Sequence, residues 1–132
     1  DRNDPKEFRE KLEKLAKAQM LSIDYVFCVA VEEMEAWLLG DREAVLAAYP
    51  NAKTSVLNEY EQDSICGTWE KLVGAIYAGG LTKFKKENKT YQDIGKKKCE
   101  WAEKIGEHMD IHRNISPSFQ AFVAAVETRF PA

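Results

Sequence analysis

The chain lacks any run close to the roughly 20 uninterrupted apolar residues that a bilayer-spanning helix needs, so the sequence excludes a span of that kind. Its opening residues, Asp1-Arg2-Asn3-Asp4, offer no initiator Met, no basic n-region and no apolar h-region, so this stretch is not expected to be a signal peptide itself. A chain with that opening is expected to continue from something upstream. The three cysteines, Cys28, Cys66 and Cys99, form no CxxC pair, which argues against a disulfide framework and for a reducing cytoplasm. There is no Gly-rich phosphate loop, no GxSxG elbow and no Cys-His nucleophile pairing, and with them go the nucleotide-binding and hydrolase classes those motifs mark. Internal repeats and low-complexity tracts are absent too.

What remains is an ordinary globular balance, with 45% apolar and 31% charged residues. The 132 residues are one domain's worth, enough to bury a real core. The net charge of −3 is unevenly distributed: seven lysines stand against Glu87 and Asp93 between Lys83 and Lys98, a local +5 that leaves −8 elsewhere.

Asp4-Pro5-Lys6-Glu7 reads as a helix start, with Asp4 as cap and Pro5 at the first helical position. Phe8, Leu12, Leu15 and Ala16 continue that helix to about Ala18. Tyr25–Val31 is seven apolar residues rich in β-branched and aromatic types, and predicts a strand buried on both faces, as in parallel sheets. A helix before such a strand implies a βα unit whose first strand lies upstream of Asp1. The expected fold class is therefore α/β: a predominantly helical fragment, the C-terminal part of a longer protein, with at least one buried parallel-type strand, Tyr25–Val31.

Further helices are expected over Glu33–Leu39, after a cap at Asp41 with Val45, Leu46 and Tyr49 facing inward, and after a cap at Thr68 with Trp69, Leu72, Val73, Ile76 and Tyr77 on one face. Gly79-Gly80 should end the last of these, and Lys83–Lys89 should form a lysine-rich connection. Ile94, Trp101, Ala102, Ile105 and Met109 mark another helix, and Ser116-Pro117 opens the final one.

Four constellations can carry chemistry. Glu32-Glu33-Met34-Glu35 places carboxylates at the exit of the expected strand, where Mg²⁺ can take hard oxygen ligands. An extended backbone puts Glu33 and Glu35 on one face, whereas a helical one pairs Glu32 with Glu35. On the residues alone, acids favoured by a helix dipole are the simpler account. Asp1 and Asp4 precede a helix and can form part of a metal site, or can cap and dangle. Lys83, Lys85, Lys86, Lys89 and Lys96-Lys97-Lys98, interleaved with Phe84 and Tyr91, can neutralise phosphates and stack on bases, or can form a solvated face. His108 and His112 are four apart, but Met109 stands where the HExxH zinc motif has its glutamate, and no CxxC supplies partners.

Several stretches together resemble a bacterial family, the domain-of-unknown-function 4276 family. They are Val29–Asp41 with its Glu33-Met34-Glu35-Ala36-Trp37 core, then Lys97, Glu100-Trp101-Ala102, His108-Met109-Asp110, and Asn114–Phe122 with Ser116-Pro117-Ser118-Phe119. The resemblance implies a Toprim-like domain with a Mg²⁺ site, or Mn²⁺ in its place, encoded beside an ATPase and active in anti-phage defence. A glutamate upstream of Asp1 would belong to that site. Asp1-Arg2-Asn3 falls where a DxD-like motif would be, with Asn3 in place of its second acid.

The expectation is a Mg²⁺-dependent nucleic-acid phosphodiesterase. In it Glu33 and Glu35 are catalytic, Asp1, Glu33 and Glu35 hold the metal, and Lys83, Lys85, Lys86 and Lys97 contact nucleic acid. Asn114, Ser116 and Ser118 serve mainly to seat the last helix. The alternative, which Asn3 favours, is a non-catalytic partner subunit of an ATPase complex with a degenerate acidic site.

Overall fold

The computed structural model describes residues 4–64 and 67–131. Eight helices are formed among the described residues: α1 (Pro5–Ala18), α2 (Met34–Leu39), α3 (Arg42–Ala48), α4 (Thr54–Asn58), α5 (Thr68–Ile76), α6 (Gly80–Glu87), α7 (Tyr91–Gly106) and α8 (Pro117–Arg129). Local chemistry sets most of their ends. Asp4 accepts from the Lys6 amide ahead of Pro5, and Asp41 accepts from the Ala44 amide. Thr90 and Asp93 close a reciprocal capping box on α7, and Ser116 caps α8.

The core lies among α2 to α7. Leu39, Val45, Leu57, Tyr60, Leu72, Val73, Phe84, Trp101 and Ile105 are buried in one cluster. Phe84 is its aromatic hub, with ring centroids 5.1 Å from Tyr77, 5.7 Å from Trp101 and 6.0 Å from Trp69. That hub explains α6. Left-handed Gly79 (φ 96°) and Gly80 (φ 67°) turn the chain after α5, and burial of Phe84 then holds the lysine-rich stretch as a helix rather than the expected connection.

α8 is fastened to α2 by the Asn114–Phe119 segment. The Asn114 amide donates to the Trp37 carbonyl at 2.7 Å, the Ile115 amide to the Gly40 carbonyl at 2.9 Å, and the Trp37 indole to Ser118 Oγ at 2.9 Å. Trp37 also packs on Phe119 and Phe122, with centroids at 5.3 and 5.4 Å. Asn114, Ser116 and Ser118 thus seat the last helix.

The expected α/β class is corrected. No strand or sheet occurs among the described residues, and the chain is helical. Tyr25–Val31 is irregular and mostly half-buried, with Val26 47% exposed, so it is not covered on both faces. The physical reason is that β propensity makes a strand only where a neighbouring strand supplies the ladder. No such neighbour lies beside 25–31 among the described residues. The segment rests instead on helices: the Val31 amide donates to Ser118 Oγ at 3.3 Å, and Phe27, Cys28 and Val29 line a cavity shared with Pro117, Ala121 and Ala125 of α8. Its apolar character reflects packing against α8. The expected helix of Phe8, Leu12 and Leu15 does form as α1, but Phe8 and Leu15 stay exposed and only Ala16 is buried.

Candidate carboxylate–lysine site

Glu32, Glu33 and Glu35 stand at the entry to α2, and the chain turns sharply to present them. Glu32 adopts a left-handed conformation (φ 69°) that a non-glycine residue keeps only when its surroundings hold it there. Its carboxylate accepts from the Thr68 hydroxyl at 2.7 Å and the Tyr60 hydroxyl at 2.9 Å. Burial first, and then the Glu32 hydrogen bond and charge, push the Tyr60 phenol well above its ordinary range, so it stays a donor.

Glu33 is extended (φ −139°, ψ 166°) and precedes α2, while Glu35 lies in its first turn. Both reach the same cation. Lys98 Nζ lies 3.3 Å from Glu35 Oε2 and 3.8 Å from Glu33 Oε1. Glu33 Oε2 also accepts from the Trp69 amide at 3.0 Å, supplying the first turn of α5 with a cap from far along the chain. Thr68, expected as that cap, is instead the first helical residue after left-handed Gly67. Glu35 is only 5% exposed, so removing Lys98 would leave a buried carboxylate without its ion-pair partner.

Asp63 adds a further acid at this end of the molecule. It too is left-handed (φ 61°), and its Oδ1 is buried without a hydrogen-bond partner among the described residues. Burial and the Glu32 charge raise its pKa. Lys98 Nζ lies 5.7 Å from the Trp69 ring centroid, and Lys85 Nζ lies 5.3 Å from it.

The structure therefore brings Glu33 and Glu35 together as a pair. Asp1 and Asn3 lie outside the described residues. Among the described residues no three His, Cys, Asp or Glu side chains are gathered as a metal cage. Two convergent carboxylates nevertheless suit Mg²⁺, which keeps several waters and is commonly held by one or two carboxylates plus substrate oxygens.

The lysines are spread over two helices. Lys83 pairs with Glu87 at 3.8 Å, Lys85 with Glu70 at 3.6 Å, and Lys97 with Glu100 at 2.8 Å, while Lys86 makes no ion pair among the described residues. His108 and His112 are exposed beyond the end of α7 and do not share a helical face. Lys98, Trp69, Tyr60, Thr68 and Asp63 are the site residues that sequence reasoning did not select. Lys98 stood in the basic run, but nothing local singled it out, because Glu35 is 63 residues away.

No helix among the described residues is long and apolar enough to cross a membrane. No match was found among curated proteins or among solved structures. The profile described as Domain of unknown function (DUF4276) matches residues 1–127, nearly the whole chain. The chain belongs to the DUF4276 family.

Proposed function

We propose that this chain carries the carboxylate–lysine part of a divalent-metal-dependent site for hydrolysing nucleic-acid phosphodiesters. The observation that supports this best is the convergence of Glu33 Oε1 and Glu35 Oε2 on one cation, Lys98 Nζ, at 3.8 and 3.3 Å. A position that holds an ammonium between two carboxylates suits a small divalent ion. Glu33 and Glu35 would hold Mg²⁺ or Mn²⁺, which would supply an activated water and charge neutralisation at the phosphate. Glu33 keeps the Trp69 amide on its other oxygen and so fixes the carboxylate against α5. Lys98, released from the pair, would neutralise phosphate charge beside it.

Cleavage of DNA and RNA with Mg²⁺ or Mn²⁺, compared among wild type, Glu33→Gln and Glu35→Gln, tests the reading. Gln at position 33 can still accept from the Trp69 amide, so the fold should survive. The expected loss is at least about tenfold in each variant, as for removal of one charge-stabilising group. Equal activity in all three proteins removes both residues from the chemistry.

A second reading is a non-catalytic partner subunit of an ATPase complex. It is favoured by the internal contacts of the acids: Glu32 with Tyr60 and Thr68, Glu33 with Trp69, and Glu35 with Lys98. Folded wild-type protein without metal-dependent cleavage is the result that reading predicts.

A further inference from the structure

A groove of about 410 Å³ opens beside the carboxylate–lysine site, between the start of α5, the end of α6 and the start of α7. Trp69, Lys85, Asn88, Lys89, Tyr91 and Ile94 line it, and the Tyr91 ring is almost wholly exposed. We propose that this groove binds single-stranded nucleic acid, with bases stacked on Trp69 and Tyr91 and phosphates against Lys85 and Lys89. The consequence for cleavage rests on the phosphodiesterase reading above, whereas binding does not.

Three features of the groove carry the inference. Tyr91 is 94% exposed, more than any other large apolar or aromatic residue described, and it makes no ring contact with another aromatic among the described residues. An aromatic held outward on a rigid helix is a stacking platform rather than a core residue, and stacking on such a platform is tolerant of base identity. Trp69 already holds cations at its ring, with Lys85 at 5.3 Å and Lys98 at 5.7 Å. Lys85 is about half exposed and only loosely paired with Glu70 at 3.6 Å, so it can leave the ring for a phosphate at little cost.

Charge complementarity supplies the third feature. The stretch from Lys83 to Lys98 carries a local +5 in a chain of net −3. Lys89 and Lys86 make no ion pair among the described residues and are exposed, so their charge is available to a polyanion. Trp69 is the link between the groove and the acidic pair, because its amide donates to Glu33 and its ring lies under Lys98. A strand stacked on Trp69 would run past Glu33, Glu35 and Lys98. Duplex DNA or RNA, with its bases stacked internally, cannot use the two rings in this way, so the groove selects for unpaired bases.

Fluorescence anisotropy of the full chain tests this in EDTA, with labelled oligo(dT), oligo(U) and a duplex of equal length. Single strands are expected to bind at least about tenfold more tightly than the duplex, and Tyr91→Ala to weaken single-strand binding roughly fivefold or more. Lys85→Gln and Lys89→Gln should each reduce the salt dependence by about one phosphate contact. The oligo(dT) and oligo(U) arms separate DNA from RNA as the ligand. Tyr91→Ala is expected to fold like wild type, because the ring is 94% exposed. Duplex binding equal to single-strand binding, or Tyr91→Ala binding like wild type, overturns the groove. Binding without cleavage in Mg²⁺ overturns the phosphodiesterase reading and leaves the groove standing, while cleavage restricted to duplex does the reverse.

Discussion

Gly40→Ala is expected to destabilise the fold by about 3–5 kcal/mol, the sum of an overpacking cost and of buried hydrogen bonds lost with it. A Cβ on Gly40 would stand 2.1 Å from Asn114 Oδ1, 2.8 Å from Asn114 Cγ and 3.0 Å from Ser116 Cβ. Gly40 has ordinary helical dihedrals (φ −64°, ψ −24°), so the requirement is for space and not for backbone freedom. The obstructing amide cannot swing aside, because Asn114 is 2% exposed, donates to the Trp37 carbonyl and accepts from the Ser116 amide at 2.9 Å. Relief therefore requires the 114–118 turn to lift from α2. That would take the Ile115–Gly40 hydrogen bond and the Trp37–Phe119 contact with it. Thermal unfolding should show a fall of roughly 10 °C or more. Hydrogen exchange should show α8 opening first, and a mutant as stable as wild type would refute the close approach.

Asp41→Ala is the second large effect, about 3 kcal/mol, from loss of a buried carboxylate that satisfies four donors. Its oxygens accept from Arg113 Nε and Nη2, each at 2.8 Å, from the Asp110 amide at 2.8 Å and from the Ala44 amide at 3.1 Å. One side chain thus caps α3 and ties the segment after α7 to it. Burial works to raise the Asp41 pKa, but the Arg113 and backbone donors outweigh it and hold the carboxyl below its ordinary value. A depressed carboxylate contributes stability that is present above its unfolded pKa of about 3.9 and is lost as pH falls through the folded value. The stability gap between wild type and Asp41→Asn, followed by urea unfolding, should therefore hold at neutral pH and narrow below about pH 4. A gap that widens on acidification would contradict the assignment.

Much of the helical fold was readable in the sequence because many helix ends and apolar faces are set locally. The caps Asp4, Asp41 and Ser116 act within a few residues of their own position, and the apolar faces of α3, α5 and α7 repeat at helical spacing, whereas of the inward face expected on α8 only Phe119 and Val123 are buried and Phe122, Val126 and Phe130 are exposed. Reading failed where a distant partner decided the outcome. Tyr25–Val31 has strand composition, but composition cannot show whether a neighbouring strand or a helix will cover it, and here α8 does. Lys83–Lys89 looks like a loop until Phe84 is placed in the core, where it is fully buried. The site divides in the same way. Glu33 and Glu35 stood out because they are two residues apart in one of the stretches on which the family resemblance rested. Lys98 was marked only as one of a basic run, Trp69 only as part of a helix face and Asp63 not at all, and tertiary structure alone brings them to the same end of the molecule.

In the proposed site Glu33, Glu35 and Lys98 form one cation position that would exchange its ammonium for a divalent ion. Thermal unfolding of Lys98→Met across a Mg²⁺ titration tests it most directly, because ligand binding to the native state alone raises stability with the logarithm of free ligand above Kd. Lys98→Met is expected to be less stable than wild type in EDTA, to recover progressively in millimolar Mg²⁺, and to lose that recovery when Glu35→Gln is added. A Lys98→Met protein whose stability is indifferent to Mg²⁺ and Mn²⁺ would contradict it.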